Sequence, residues 1–168
     1  MPKIIENLEN KLIAEARRQI EQSGYGAVTI RSVASACGVG VGTVYNYFSS
    51  KDELLATYML SDWKDCVAAI EAVSDQSESP APVVRCIYDQ VCAYAQKNST
   101  VFQDEAAASG FSASFHRYHP LLRGQISAPL RKFCETDFAA SFIAESLLTW
   151  TMAGKDFDEL YGMIDKLF

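Results

Sequence analysis

The 168-residue chain has no long apolar run, no paired-cysteine motif and no excess of basic charge. No segment approaches the roughly 18 consecutive apolar residues that a spanning helix requires. The opening MPKIIENLENKL is too charged for a secretory leader, so a cytoplasmic protein is predicted. The five cysteines, Cys37, Cys66, Cys86, Cys92 and Cys134, are odd in number and scattered without Cys-x-x-Cys spacing. They read as reduced thiols packed as small hydrophobes, with a redox pair such as Cys86 and Cys92 as the alternative. The two histidines, His116 and His119, have no carboxylate or thiol near them in sequence, and no metal site is predicted. No Ser/His/Asp arrangement or paired-carboxylate motif points to catalysis, so neither an enzyme nor a cofactor is expected. Strand patterns are absent too.

What the chain has is apolar residues at helical spacing. At 49% hydrophobic and 11% aromatic it can build real cores, and disorder is excluded. Ile4, Ile5, Leu8, Leu12, Ile13, Ala16 and Ile20 mark an amphipathic first helix that stops at Ser23-Gly24-Tyr25-Gly26. Thr29 stands where an N-cap belongs, and Ile30, Val33, Ala34 and Cys37 form the buried stripe of a second helix ending at Gly38. A third helix spans about Val41 to Phe48. Ser50-Lys51-Asp52-Glu53 then reads as a capping box opening a longer fourth helix, which carries Leu54, Leu55, Tyr58, Met59, Trp63, Val67 and Ile70 and joins the two halves of the chain. Ser74 to Pro82 is the clearest interruption. Further helices are predicted at about 82–97, 99–109, 112–126, 137–153 and 156–168, with His119-Pro120 and Pro129 as kinks or breaks. Asn98-Ser99-Thr100 matches a glycosylation sequon but reads more simply as a polar helix start.

The chemistry lies between Thr29 and Leu55. A helix-turn-helix works because a short helix on the outside of a trihelical core can enter the major groove while its predecessor crosses the backbone. Gly38 permits the tight turn, Val39 fills the space between helices, Gly42 lets main chain approach a duplex, and Val44 and Phe48 anchor the third helix. That leaves Val41, Thr43, Asn46 and Tyr47 outward, with Tyr45 at the flank. Thr43 and Asn46 can exchange hydrogen bonds with base edges or phosphates, and Val41 offers a surface for a thymine methyl. Tyr45, Tyr47 and Lys51 can donate to phosphates, Arg31 can grip guanine with two hydrogen bonds, and the helix start at Thr29 adds main-chain donors. The glycines of Gly38-Val39-Gly40-Val41-Gly42 do not make a dinucleotide loop, because that fingerprint requires glycine at Thr43 and a strand before it.

The net charge of -6 argues against nucleic acid at first sight. Residues 1–55, however, carry six basic and six acidic side chains, so the whole excess belongs to 56–168. The predicted contacts rely on hydroxyls, Asn46, Arg31 and helix dipoles, which implies a shallower salt dependence than that of a Lys/Arg-rich binder.

Thr29, Val33-Ala34, Ala36, Gly38-Val39, Gly42-Thr43-Val44-Tyr45, Tyr47-Phe48, and Lys51 with Leu54 occur in the order and spacing of the DNA-binding domain of TetR-family regulators, and about 50 residues of the chain resemble it. One position departs: Gly40 stands where the family has a Ser or Thr cap, which supplies the backbone geometry without the hydroxyl. The resemblance implies an all-α chain of two domains, a helix-turn-helix at 1–50 and a helical ligand-binding and dimerisation domain at 51–168. It also implies a homodimer reading a palindromic operator in double-stranded DNA, and a repressor released when a small-molecule effector tilts the helix that starts at Lys51. Trp63, Tyr88, Cys92, Phe102, Phe111, Phe115 and Phe133 are candidate lining for an effector cavity, although an aromatic stripe is more often solid core. The last two helices are apolar on more than one side, so Phe138, Phe142, Leu147, Trp150, Leu160, Tyr161 and Ile164 are candidates for the subunit interface. The alternative is a helical partner-binding adaptor that binds no DNA specifically.

Overall fold

The structure, a computed structural model, describes residues 7–168, and over 105–117 the course of the main chain alone. It is all-α, with no strand among the described residues: α1 Leu8–Ser23, α2 Ile30–Ala36, α3 Val41–Tyr45, α4 Lys51–Gln76, α5 Pro80–Lys97, α6 Ser99–Phe102, α7 Glu105–Leu130, α8 Asp137–Met152 and α9 Phe157–Ile164. Of the first-helix stripe, Leu8, Leu12, Ala16 and Ile20 are buried at four-residue intervals, while Ile4 and Ile5 lie outside the described residues. Gly24, at φ 78° and ψ 160°, stops α1 by taking a positive-φ conformation that favours glycine, while its N–H donates to the Ile20 carbonyl at 2.8 Å.

Two compact units emerge, and neither is one continuous stretch. The first comprises the described residues up to Ser61 together with Asn98–Ser114; the second comprises Asp62–Lys97 and Phe115–Phe168. A single cut after residue 50 is therefore not where the contacts divide. The reason is packing: α4 is unbroken through the division, and α6 lies against α1 with Val101 buried. Leu12, Ile20, Val33, Val44, Phe48, Leu54 and Leu55 form the first unit's core.

In the second unit α5 packs most heavily on α8, burying Val83, Val84, Ile87, Ile143, Ala144 and Leu147. The predicted helices at 99–109 and 112–126 are redrawn. The break falls at Gln103–Asp104, and α7 then runs unbroken through Pro120 to Leu130. Each proline removes one main-chain donor, but the helix is held beyond Pro120 by buried Ile126 and Leu130 and by Gln125, whose Oε1 accepts the Trp63 Nε1–H at 2.9 Å. At its end the Pro129 carbonyl accepts the Ser74 hydroxyl at 3.2 Å, and Lys132 caps α4 by donating to the Ser74 and Ser77 carbonyls.

All five cysteines are free, Cys66 buried and the rest half-buried. Burial pushes the thiols of Cys37, Cys66, Cys86 and Cys134 above their usual value. Cys86 and Cys92 are six residues apart on α5, which turns them to different sides of the helix, and Cys86 Sγ faces the Ala69 carbonyl at 3.9 Å. They make no redox pair.

Candidate nucleic-acid interface

The interface begins with the cap of α2. Thr29 Oγ1 accepts the Ser32 N–H at 3.0 Å and Ser32 Oγ accepts the Thr29 N–H at 3.1 Å, a reciprocal box closed by serine. Those two amides are therefore committed within the helix start and do not serve as donors to a phosphate. The Ser32 hydroxyl also lies 2.6 Å from Gln19 Oε1, whose amide donates to Glu15 at 2.7 Å, and Arg18 donates to the same carboxylate at 2.6 and 2.9 Å. A polar chain thus fastens α2 to α1. Its hydrogen bonds from Arg18 and then Gln19 draw the Glu15 carboxyl from an ordinary 4.5 down to about 2. Because the folded value is depressed, the stability it contributes is complete above the ordinary carboxylate range and is lost as pH falls through about 2. A carbon-13 titration of the Glu15 carboxyl checks this, with a midpoint near 2 expected.

The turn follows with Gly38 at φ 67°, where a side chain would be strained, and with the Val39 N–H reaching the Ala34 carbonyl at 3.0 Å. Val39 is only half-buried, so it fills the inter-helix space in part. Gly40 caps α3 with its carbonyl, which accepts from Thr43 at 2.9 Å, and supplies no side-chain bond. Helix α3 is shorter than its predicted span; Asn46, Tyr47 and Phe48 complete it as a turn, bonding back to Thr43 and Val44. Val44 and Phe48 are buried, as their spacing requires.

With those anchors inside, the predicted reading residues are left outward. Tyr45 and Tyr47 are 53% and 44% exposed, Arg31, Gly42 and Asn46 are exposed, and Val41 and Thr43 are half-exposed. Nothing lies within 4 Å of where a Gly42 side chain would begin. Lys51 is half-buried; its Nζ donates to the Tyr25 carbonyl at 3.0 Å and sits 3.8 Å above the Tyr25 ring, so it also ties α4 to the turn before α2.

Tyr25 is a residue the sequence reading passed over. It is buried, its hydroxyl donates to Asp52 on the first turn of α4, and burial, that bond and the charge of Asp104 push its phenol far above the usual range. The signal available in sequence was an aromatic flanked by two glycines at a helix end. At the start of α4, Ser50 Oγ accepts the Glu53 N–H at 3.1 Å and Glu53 reaches back to the Ser49 N–H at 2.6 Å, so the predicted capping box forms one residue wider.

Trp63 is solid core, edge-on to Tyr94 with ring centres 5.2 Å apart. Tyr88 is a strut from α5 to α9, its ring 5.3 Å from Phe157 and its hydroxyl donating to the Lys155 carbonyl. Cys92 and Phe133 are half-buried, Phe102 is exposed and belongs to the first unit, and the side chains of Phe111 and Phe115 lie outside those described. Of the interface candidates, Leu147, Leu160 and Ile164 are buried within their own chain, and Leu160 and Ile164 also line the groove between α8 and α9. Tyr161 is half-buried, stacked on Phe157 and bonded to Asp165. Phe138, Phe142 and Trp150 are outward, 79%, 51% and 49% exposed. Trp150 and Phe142 flank a groove of about 680 Å³ whose α9 side carries Met163 and Leu167.

No described helix is long and apolar enough to cross a membrane, and no group of potential metal ligands occurs among the described residues. Residues 12–58 match the family described as bacterial regulatory proteins, tetR family. The chain is similar to the HTH-type transcriptional regulator Rv1816 of Mycobacterium tuberculosis, 29% identical over 72 residues, which is 43% of this chain and 31% of that protein. It is also similar to the HTH-type transcriptional regulator BetI 1 of Chromohalobacter salexigens, 34% identical over 110 residues, 64% of this chain and 52% of that one. The chain thus spans about a third to a half of the curated relatives it matches. In fold it resembles Thermus thermophilus FadR, a TetR family transcriptional repressor in complex with lauroyl-CoA, with TM-score 0.67 and 18% identity over 95% of this chain and 92% of that one.

Proposed function

Because the chain belongs to the tetR family of bacterial regulatory proteins, we propose that it regulates transcription by binding a palindromic operator as a homodimer, and that a small molecule releases it. The observation that carries this reading is α3 held from behind by Val44 and Phe48, with Thr43, Tyr45, Asn46 and Tyr47 outward and the main chain at Gly42 uncovered. The exposed Phe138, Phe142 and Trp150 supply the self-association. The fold shared with a lauroyl-CoA-binding repressor supports an effector, and α4, common to both units, is the element through which it acts. A cytoplasmic, non-enzymatic role goes with this reading.

Selection of bound duplexes from a random pool tests it. Enrichment of a two-fold symmetric site with half-sites about one helical turn apart is expected. The double variant Arg31→Ala, Tyr47→Ala should lose at least about tenfold in affinity for that site at fixed salt, since each base or phosphate contact is worth on the order of 1 kcal/mol or more. No enrichment, or unchanged affinity in the double variant, sinks the DNA reading.

A further inference from the structure

The turn that launches the reading helices contains Gly24, Tyr25 and Gly26, and glycines on either side of a residue leave a turn wide torsional freedom. Here it is clamped from two directions. From α4, Lys51 holds the Tyr25 carbonyl and Asp52 accepts the Tyr25 hydroxyl. From the joint between α6 and α7, Asp104 Oδ2 accepts the Gly26 N–H at 3.2 Å, across a sequence separation of 78 residues. The same oxygen lies 3.7 and 3.9 Å from the positions where side chains at Gly24 and Gly26 would begin, so the carboxylate is seated against both glycines. Its neighbours secure it: α6 packs on α1, and Val101 is buried.

We propose that Asp104 is a positioning residue for DNA reading: its carboxylate fixes the Gly24–Gly26 turn and thereby the direction in which α2 and α3 leave α1. A carboxylate accepting a main-chain N–H is a charge-assisted bond, stronger than a neutral one. Val28, buried, and Thr29, capping α2, follow the turn directly, so any freedom gained at Gly26 passes into the reading helices. Displacement of the α6–α7 joint would free the Gly26 side of the turn even with α4 still holding Tyr25, giving the second stretch of the first unit its own hold on DNA binding. This rests on the proposed DNA reading for its functional arm.

The test uses full-length protein, wild type, Asp104→Ala and Asp104→Asn. In free protein, Gly26 amide exchange is expected to quicken about tenfold in Asp104→Ala, and residual dipolar couplings of α2 and α3 to average more than those of α1; Asp104→Asn, which keeps an oxygen acceptor, should restore both to within about twofold. Affinity for the selected palindrome should fall about fivefold or more in the alanine variant and recover in the asparagine variant, while binding to an arbitrary duplex stays unchanged. Unchanged α2 and α3 couplings in Asp104→Ala, or an asparagine variant as impaired as alanine, overturn the proposal. Faster Gly26 exchange with wild-type operator affinity also overturns it. A wild type that binds no duplex at all would instead defeat the DNA reading, while the free-protein arm still decides Asp104.

Discussion

Trp150→Glu is expected to leave a folded monomer whose operator affinity has dropped by about 100-fold or more. Trp150 is half-exposed on α8, so its removal leaves no cavity in the core formed by Ile143, Ala144 and Leu147. In the proposed dimer the same ring lies beside the α8–α9 groove and meets its symmetry mate's surface, and each substitution counts twice across a two-fold interface. Truncating a buried interface tryptophan costs on the order of 2 kcal/mol or more, and a glutamate adds an unpaired charge beside Phe142 and Met163. Losing one half-site removes the coupling between two reading units, which is where the affinity for a palindrome resides. Sedimentation velocity at micromolar concentration and a DNA titration read both effects; a variant that sediments as wild type does would refute the assignment of this face.

Gly42→Leu should separate stability from binding. No atom lies within 4 Å of a side chain begun at this position, and Gly42 is within α3, so replacing glycine raises helix propensity by about 0.5–1 kcal/mol. The melting temperature should hold or rise slightly. Affinity should nevertheless fall about 100-fold, because the new side chain occupies the space through which main chain would approach the duplex. Gly42→Ala should show the same pattern in a milder form, about tenfold. A loss of melting temperature in step with affinity would place Gly42 in the packing instead and leave the approach surface elsewhere.

The legible parts of this molecule were those written within a few residues. The Thr29 cap, the Gly38 turn, the Val44 and Phe48 anchors and the Ser50–Glu53 helix start each depend on i to i+3 or i+4 spacing, and all formed. Periodicity also located the long helices, but it reports only that a residue faces something apolar. It could not say whether Leu147, Leu160 and Ile164 pack in their own chain or against a second copy; all three are buried in their own, while Leu160 and Ile164 also line the α8–α9 groove. At Pro120 the helix runs on without a break, tertiary packing outweighing one missing hydrogen bond. The hold of Lys51 on Tyr25 was not legible because its partner, the Tyr25 carbonyl, is main chain and leaves no mark in sequence. Asp104 was invisible for a simpler reason: nothing local connects an aspartate between two helices with a glycine turn 78 positions earlier.

That separation also orders events during synthesis. The glycine turn leaves the ribosome before the carboxylate that steadies it, which follows 78 residues later, a lag of about 4–16 s at roughly 5–20 residues per second. Closing so long a loop costs little more than closing one half its length, about 0.6 kcal/mol, and pairing of α4 with α5 shortens the span to be searched. A nascent chain would therefore carry reading helices whose turn is held from α4 alone until Asp104 arrives, and its grip on DNA would mature only once the chain past Asp104 has been made.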